Sequence, residues 1–308
     1  MQTIYLHHDT PLPPPCAATI GFFDGVHRGH QYLIDRLRQS ARRHGLESTV
    51  ITFDRHPRQV LHADYVPQLL STLDMKLRRL EATGVDRVVV LGFDRQMASL
   101  SARDFMAGVL SRRLNVRLLL TGYDNRFGHD RAEGFDDYVE YGRQTGISVE
   151  AGCEERVGGM HVSSSAIRRM LAEGDVAHAN ECLGYEYAIG GTVVRGYGEG
   201  HKLGFPTANI DPRTCHVMLP ANGVYAVWAR TGSDSAWHKA MLNIGVRPTF
   251  GGQHVTIEAN IFGLSADLYG SRLTLRLVSR IRGERKFGSA DELGAQLAAD
   301  RDLCLRLL

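Results

Sequence analysis

No apolar run in this chain approaches the roughly 20 residues that a helix needs to cross a bilayer, so no membrane span is expected. Residues 1–10 hold two histidines and an aspartate where a secretory signal would carry an apolar segment. Cysteine is sparse: five residues at 16, 153, 182, 215 and 304, with no CxxC pair, which argues against a disulfide framework or a zinc knuckle. Charge of one sign is also lacking. Lys and Arg total 36 against 34 Asp and Glu, a net of +2 that gives no reason to expect nucleic-acid or membrane-surface binding. Two nucleotide fingerprints are absent as well. Without GxxxxGK[ST] there is no P-loop, and without GxGxxG after the first strand the dinucleotide-dehydrogenase reading fails. A cytoplasmic enzyme or binding protein of one large or two ordinary domains remains.

What is present begins at Gly21-Phe22-Phe23-Asp24-Gly25-Val26-His27-Arg28-Gly29-His30. A strand expected over 16–21 leads into it, and a helix expected over 28–44, with Tyr32, Leu33, Leu37 and Ala41 on one face, leads out. Strand, glycine turn and helix together set free N–H groups and the positive end of the helix dipole where an anion can sit. His27 and His30, three apart, point the same way and can bond one phosphate chain. The same residues also fit a turn with two solvated histidines.

Further strands are expected over 48–53, 87–91, 117–121 and, more weakly, 146–150, with helices over 72–83 and 101–114 between them. That alternation implies βαβ units and a parallel sheet, whose ligand sites lie at the carboxyl ends of the strands. Asp24–His30 follows the first of these strands, His56 the second, and Gly122-Tyr123-Asp124-Asn125-Arg126-Phe127-Gly128 the fourth. A later cluster, Ser163-Ser164-Ser165 with Arg168, stands at the start of another helix. One serine is explained as a cap, and the set offers hydroxyls, N–H groups and a guanidinium to one anion.

After Tyr187 helical periodicity gives way to short alternating segments over 189–194, 223–229, 237–244, 255–262 and 272–280, the pattern of a small antiparallel barrel or sandwich. Leu293, Leu297, Leu303 and Leu307 suggest a closing helix. The expected division is therefore 1–184, an α/β domain, and 185–308, an all-β domain. Glycines at 196, 198, 200 and 204 let backbone approach a ligand and form N–H nests for phosphate. Thr207 and Asn209, two apart, face one side of an extended segment and offer oxygens to Mg²⁺.

GFFDGVHRGH, TFDRHP, GYDNRFG and SSSAIR, in that order, resemble the adenylyltransferase half of the bacterial bifunctional riboflavin kinase/FMN adenylyltransferases (FAD synthetases), which belong to the HxGH nucleotidyltransferases. The 195–209 stretch, with Asn243–Phe250, Asp267–Gly270 and Glu284–Phe287, resembles their kinase half. The resemblance implies a Rossmann-like nucleotidyltransferase domain followed by a riboflavin kinase-like barrel. In the first, ATP would meet Gly21, Phe23, Asp24, His27, His30, Ser164, Ser165 and Arg168, with Phe23 and Asp24 at the site entrance. His27 and His30 would stabilise charge at the α-phosphorus, and Ser164 and Arg168 would hold the leaving β,γ-phosphates. His56, Asp124, Asn125 and Arg126 would lie near the flavin or nucleotide phosphate. In the second, ATP would meet Gly198, Gly200, Lys202, Gly204, Phe205, Pro206, Thr207 and Asn209. Mg²⁺ would sit at Thr207 and Asn209, and Glu258 would be the catalytic carboxylate. The implied small molecules are ATP, riboflavin, FMN and FAD, with no nucleic-acid or membrane partner, in a monomer or weak homo-oligomer.

The chemistry expected of the two halves differs. FMN's phosphate is already anionic, because its second pKa is about 6, so adenylyl transfer needs no general base. A ribityl hydroxyl must lose a proton as it attacks, so the kinase needs a carboxylate. Two departures from the family pattern stand out: His201 in place of an arginine, and Ala259, Asn260 and Gly263 in place of the usual residues after the glutamate. They leave open an adenylyltransferase with a weak or lost kinase. A flavin carrier without catalysis is the alternative from another class.

Overall fold

The structure is a computed structural model, and it describes all residues except 62–63, 123–125, 130–131, 153–155, 158–159, 197–203, 233–235, 250–251 and 265. Six short strands make the first sheet: Gln2–Leu6 (β1), Cys16–Ile20 (β2), Glu47–Phe53 (β3), Arg87–Leu91 (β4), Val116–Thr121 (β5) and Ser148–Ala151 (β6). β2 and β4 are buried at every residue, as expected of parallel strands covered on both faces. All pairings are parallel and the order is β1-β4-β3-β2-β5-β6. From β2 the chain builds outward through β3 and β4, then returns to add β5 on the other side. The β2/β5 seam is thus a topological switch point, where sheets of this kind leave a crevice beyond the strand carboxyl ends.

Strand alternation divides the core into two. Ala17, Val50, Val88 and Val90 pack with Ile34, Leu37 and Leu80, whereas Ala18, Ile20, Ile51, Val89 and Leu91 pack with Phe105, Met106, Leu110 and Tyr138. The covering helices are α1 (Arg28–Arg43), α2 (Pro57–Leu61), α3 (Leu73–Ala82), α4 (Arg95–Ala98), α5 (Ala102–Asp104) and α6 (Phe135–Thr145). α1 buries Ile34, Leu37, Ser40 and Ala41, while Tyr32 and Leu33, expected on that face, are half-buried at its edge. Thr72 and Ser101 cap α3 and α5 by accepting from the N–H three residues on. α5 runs into a π-helical stretch, Phe105–Ser111, which turns Phe105, Val109 and Leu110 inward. α6 was not expected from the pattern. It starts at Gly134 and stops at Gly146 in left-handed backbone (φ 74°).

A two-residue hairpin, Arg156–Val157 (β7) with Met160–His161 (β8), precedes Ser164–Glu173 (α7) and Val176–Leu183 (α8). The remaining strands are Ala188–Val194 (β9), Ala208–Ile210 (β10), Gly223–Thr231 (β11), His238–Thr249 (β12), Gly252–Ile261 (β13) and Arg272–Arg282 (β14). They close into an antiparallel barrel in the order β10-β13-β12-β11-β14-β9. The short β10 completes the ring, and it had no alternating pattern of its own to announce it. The last helix, Ala290–Leu307 (α9), packs Leu297 and Cys304 against Val224, Ala226 and Met241.

The chain divides into two compact units, Met1–Ser163 and Ser164–Leu308. This break in compactness comes before α7, whereas the change in pattern that suggests a boundary at 184/185 comes after α8. The reason lies in contacts between residues distant in sequence. α7 and α8 are bonded to the barrel: Asn180 donates to Leu277 O at 2.8 Å, the Ala221 N–H to Leu171 O at 2.9 Å, and Arg280 to Glu173 O at 3.2 Å. No helix among the described residues is long and apolar enough to cross a membrane.

Candidate functional site

The turn after β2 carries the first site. Phe23 (φ 54°), Gly25 (φ 78°) and Val26 (φ 41°) all stand in left-handed backbone. For a β-branched residue that conformation is an outlier, sustained only where the surroundings fix it. Asp24 supplies much of the fixing. Its buried carboxylate accepts from the backbone N–H of Leu70 (2.9 Å) and Ser71 (3.0 Å) and from the Ser71 hydroxyl, whose oxygen accepts in turn from the Gly25 N–H at 3.0 Å. Gln31 donates to Val26 O at 2.8 Å. Phe23 and Asp24, expected at the site entrance, are each only 3% exposed. They hold the turn from beneath, because an apolar ring and a carboxylate with its own donors are both better off inside.

This turn delivers His27 as the cap of α1. His27 Nδ1 accepts from the His30 N–H at 3.3 Å, which assigns the neutral ring's proton to Nε2. The two imidazoles stack with centroids 3.6 Å apart. Gly29 between them permits this approach, since a Cβ there would stand 3.3 Å from His27 Nδ1. Burial holds the His30 pKa well below 6.5, and the neighbouring His27 and Lys76 push it the same way. Its Nδ1 is buried with no hydrogen-bond partner among the described residues. The pair therefore stands at a helix N-terminus at the end of β2, with His30 held toward its neutral form.

His56, after β3, comes close to this turn: its ring meets Phe22 edge-on at 4.8 Å. Its Nδ1 accepts from the Arg58 N–H at 3.1 Å, so its Nε2 likewise carries the proton in the neutral ring. Beneath Phe22 lies a residue that sequence reasoning missed. Lys76, 3% exposed, donates to Phe22 O, Thr52 Oγ1 and Phe53 O, each at 3.0 Å. Its position in α3 was the available signal: with Leu73, Leu77 and Leu80 it falls on the buried face of the helix. Arg126 is exposed beside Phe127, which stacks on Tyr138 at 4.2 Å. Asp124 and Asn125 lie outside the described residues. Gly21 directly precedes the turn. Ser164 opens α7, with Ser165 exposed and Arg168 half-buried one turn on, in the other unit.

The barrel carries the second site. Asn209 of β10 and Asn243 of β12 flank Glu258 of β13 in register. Glu258 lines a cavity of about 330 Å³ with Phe205, Thr207, Met241, Arg282, Glu284, Phe287 and Leu297 among others. A neighbouring cavity of about 260 Å³ shares Thr207 and is bordered by Pro206, Asp267, Leu268 and Tyr269. Gly204 and Phe205 adjoin these walls, while Gly198, Gly200, His201 and Lys202 lie outside the described residues. A Cβ at Gly196 would overlap the Asn209 carboxamide, so that glycine makes room for Asn209. Among the described residues no cluster of three or more His, Cys, Asp or Glu side chains could hold a metal.

Two features of this site were not legible beforehand. Asp300 of α9, 2% exposed, receives both Arg282 Nε (2.9 Å) and Nη2 (2.8 Å), fixing a guanidinium that lines the larger cavity. Asn260, one of the departures from the family pattern, is 6% exposed and donates to Pro206 O at 2.6 Å. It pins the segment that carries Thr207.

Residues 9–166 match the FAD synthetase family and residues 183–308 the riboflavin kinase family. The chain is 39% identical to the bifunctional riboflavin kinase/FMN adenylyltransferase of Escherichia coli K12, over 92% of this chain and 90% of that one. It is 38% identical to that of Pseudomonas fluorescens (96% and 94%) and 34% to that of Bacillus subtilis (99% and 98%). A crystal structure described as a macrolide-efflux protein from Streptococcus pneumoniae is 30% identical, covers 99% of both chains and has a TM-score of 0.87.

Two tests follow from the turn. Asp24→Asn places an amide among three donors and should cost about 1–3 kcal/mol of stability, read by denaturant unfolding, with adenylyl transfer falling and the barrel's reaction kept. His30 should make the first unit acid-sensitive. Its folded pKa lies below the 6.5 of the unfolded chain, so below that pH unfolding takes up a proton and stability is lost. Thermal melts through about pH 5–7.5 should slope less for His30→Asn.

With both halves matched in one chain, neither the lost-kinase nor the carrier alternative is favoured: the chain belongs to the bifunctional riboflavin kinase/FMN adenylyltransferase family, converting riboflavin and ATP to FMN in its barrel and FMN and ATP to FAD in its nucleotidyltransferase domain.

Proposed function

We propose that adenylyl transfer takes place over the His27–His30 pair. An FMN phosphate oxygen attacks the α-phosphorus of ATP, the bond to the α,β-bridging oxygen breaks, and pyrophosphate leaves. The observation that carries this is the orientation of the pair: His27 Nδ1 is engaged by backbone, so Nε2–H is the donor for phosphate oxygens, and His30 is held neutral with an unpartnered Nδ1. The N-terminus of α1 adds free N–H groups. Charge stabilisation and in-line placement are sufficient, because the nucleophile needs no deprotonation. Ser164, Ser165 and Arg168 hold the leaving phosphates in this reading, with Gly21, Phe23 and Asp24 forming the nucleotide turn. His56, Asp124, Asn125 and Arg126 handle the flavin or nucleotide phosphate. We place the functional boundary at 184/185, which assigns Ser164, Ser165 and Arg168 of α7 to the first reaction.

In the barrel, the ribityl hydroxyl attacks the γ-phosphorus, its proton passes to Glu258, and ADP leaves. The support is the register that puts Glu258 opposite Asn209 and in the same cavity wall as Thr207. The larger cavity, with Met241, Phe287, Leu293 and Leu297, suits the flavin ring. The loop with Gly198, Gly200, Lys202 and Gly204, then Phe205 and Pro206, leads ATP phosphate to Thr207 and Asn209. The oxygens at Thr207 and Asn209 fit Mg²⁺: Asn209 Nδ2 turns to Thr207 O at 3.4 Å, which leaves the carboxamide oxygen as the outward donor. Bound there, Mg²⁺ supplies charge neutralisation on the phosphates. The protein acts in the cytoplasm as a monomer or weak homo-oligomer, on small molecules alone.

Separating flavins by chromatography after incubation with riboflavin, ATP and Mg²⁺ tests the assignments. His30→Ala should stop FAD formation and spare FMN formation. Glu258→Gln should do the reverse, by about 10²–10⁴-fold. FMN formation that survives Glu258→Gln removes the base assignment. Chelation with EDTA should halt the kinase reaction, and Mg²⁺ should restore it.

A further inference from the structure

Lys76 has no role in the proposed phosphate chemistry, yet it is buried and fully engaged in hydrogen bonds. Its ammonium has three protons and three acceptors, each 3.0 Å away: Phe22 O, beyond the end of β2; Phe53 O, at the end of β3; and the Thr52 hydroxyl oxygen. Thr52 Oγ1 donates its own proton to Phe22 O at 3.1 Å. Nζ also lies 4.2 Å from the centroid of the Phe22 ring, whose edge meets His56. One side chain thus ties together the two strand ends from which the His27–His30 turn and the His56 loop depart. Phe22 is the residue directly before the left-handed Phe23, so the carbonyl that Lys76 holds belongs to the peptide that starts the strained turn. We propose that Lys76 is a positioning residue for adenylyl transfer, its ammonium fixing the Phe22 and Phe53 carbonyls so that His27, His30 and His56 are set against one phosphate path.

The inference rests on the adenylyl-transfer assignment of the His27–His30 pair, and it makes a demand which that assignment does not. A neutral amine has two protons and cannot serve three acceptors. Burial lowers the Lys76 pKa from 10.5 to about 8, against the opposing pull of Asp24 and Asp54. The titratable groups around it are Asp24 in the turn, Asp54 after β3, and His30 on α1, with His27 stacked behind His30. His30, held well below 6.5, does not change charge over the alkaline range, whereas Lys76 does. Loss of its proton should slacken the turn and slow FAD formation. Stability should move the other way. Between about 8 and 10.5 the unfolded lysine holds a proton that the folded one has shed, so this group's contribution to stability rises with pH. Alkaline inactivation would then occur in a protein that is not unfolding.

The test is the kcat for FAD formation from FMN, at saturating ATP, FMN and Mg²⁺, from about pH 6.5 to 9.5. FMN formation by the same full-length protein is the internal control, because Lys76 is not part of the barrel. The wild-type kcat should fall as pH rises through about 8. Lys76→Met should lose about 10²-fold at neutral pH, with kcat affected more than KM, and should show no limb near that pH. Lys76→Arg, permanently charged, should also lack the limb. A flat wild-type profile, a limb that persists in either variant, or a Lys76→Met protein within about twofold of wild type overturns the proposal. Should neither variant fold, the wild-type profile decides alone. Failure of the histidine assignment is separable, since His30→Ala would then leave FAD formation intact whatever Lys76 does.

Discussion

A valine held at positive φ is the constraint on which the first site depends. Val26 and Phe23 both stand in left-handed backbone, at a combined expense that local sequence alone would not sustain. The turn persists because buried charge holds it from two sides. Asp24 gathers the N–H groups of residues 70–71 below, and Lys76 gathers the strand-end carbonyls beside it. Each ion is satisfied by hydrogen bonds, which is the condition for keeping a charge inside. The result is directional. Backbone that would otherwise run straight into α1 is folded back so that the His27 ring caps the helix and lies flat on His30. Without that geometry the same two histidines would be ordinary residues on a helix surface.

The two reactions make opposite demands on proton chemistry, and the two sites are built accordingly. At His30 protonation is suppressed by burial, and the bond from the His30 N–H to Nδ1 orients the His27 ring. Such a site offers fixed dipoles to phosphate without a mobile proton, which suits a nucleophile that arrives ionised. In the barrel the Glu258 carboxylate lines the larger of two cavities that share Thr207. In the proposed kinase reaction this carboxylate is the proton acceptor. The parallel sheet provides a crevice at its switch point, and the barrel provides an enclosed interior. Each fold hosts the chemistry its geometry suits.

Much of this was legible in the sequence, and the limits have physical causes. The buried strands β2 and β4 read directly because both faces are covered and apolar residues run unbroken. α6 escaped because Gly134 and Gly146 bound a segment rich in charge, with Tyr138 and Gly142 its only buried residues. β10 escaped because three residues have no period. The break between compact units falls ahead of the change in pattern because α7 and α8 look like a continuation of the α/β pattern, whereas their bonds to Leu277, Ala221 and Arg280 are long-range and leave no local mark. The histidine motif was visible as a glycine turn between a strand and a helix. Its support was not, since Asp24 meets its partners 46 residues away and Lys76 reaches back 54 residues to Phe22.

Asn260 shows how a departure from a family pattern can be read once contacts are known. Met sequence-first, the replacement of the residues after Glu258 looked like erosion of the kinase site. In the barrel, Ala259 is fully buried and pairs with Ala208, while Asn260 points the other way and donates to Pro206 O. That bond anchors the stretch from which Thr207 and Asn209 project. Removing the carboxamide would leave a buried carbonyl without its donor and loosen the strand carrying the metal-type oxygens. Asn260 therefore has a structural role beside Glu258, as the donor to Pro206 O. The same logic applies to Arg282. Its guanidinium is committed to Asp300 of α9, so the closing helix contributes to the kinase cavity by aiming a cation into its wall as well as by covering apolar surface.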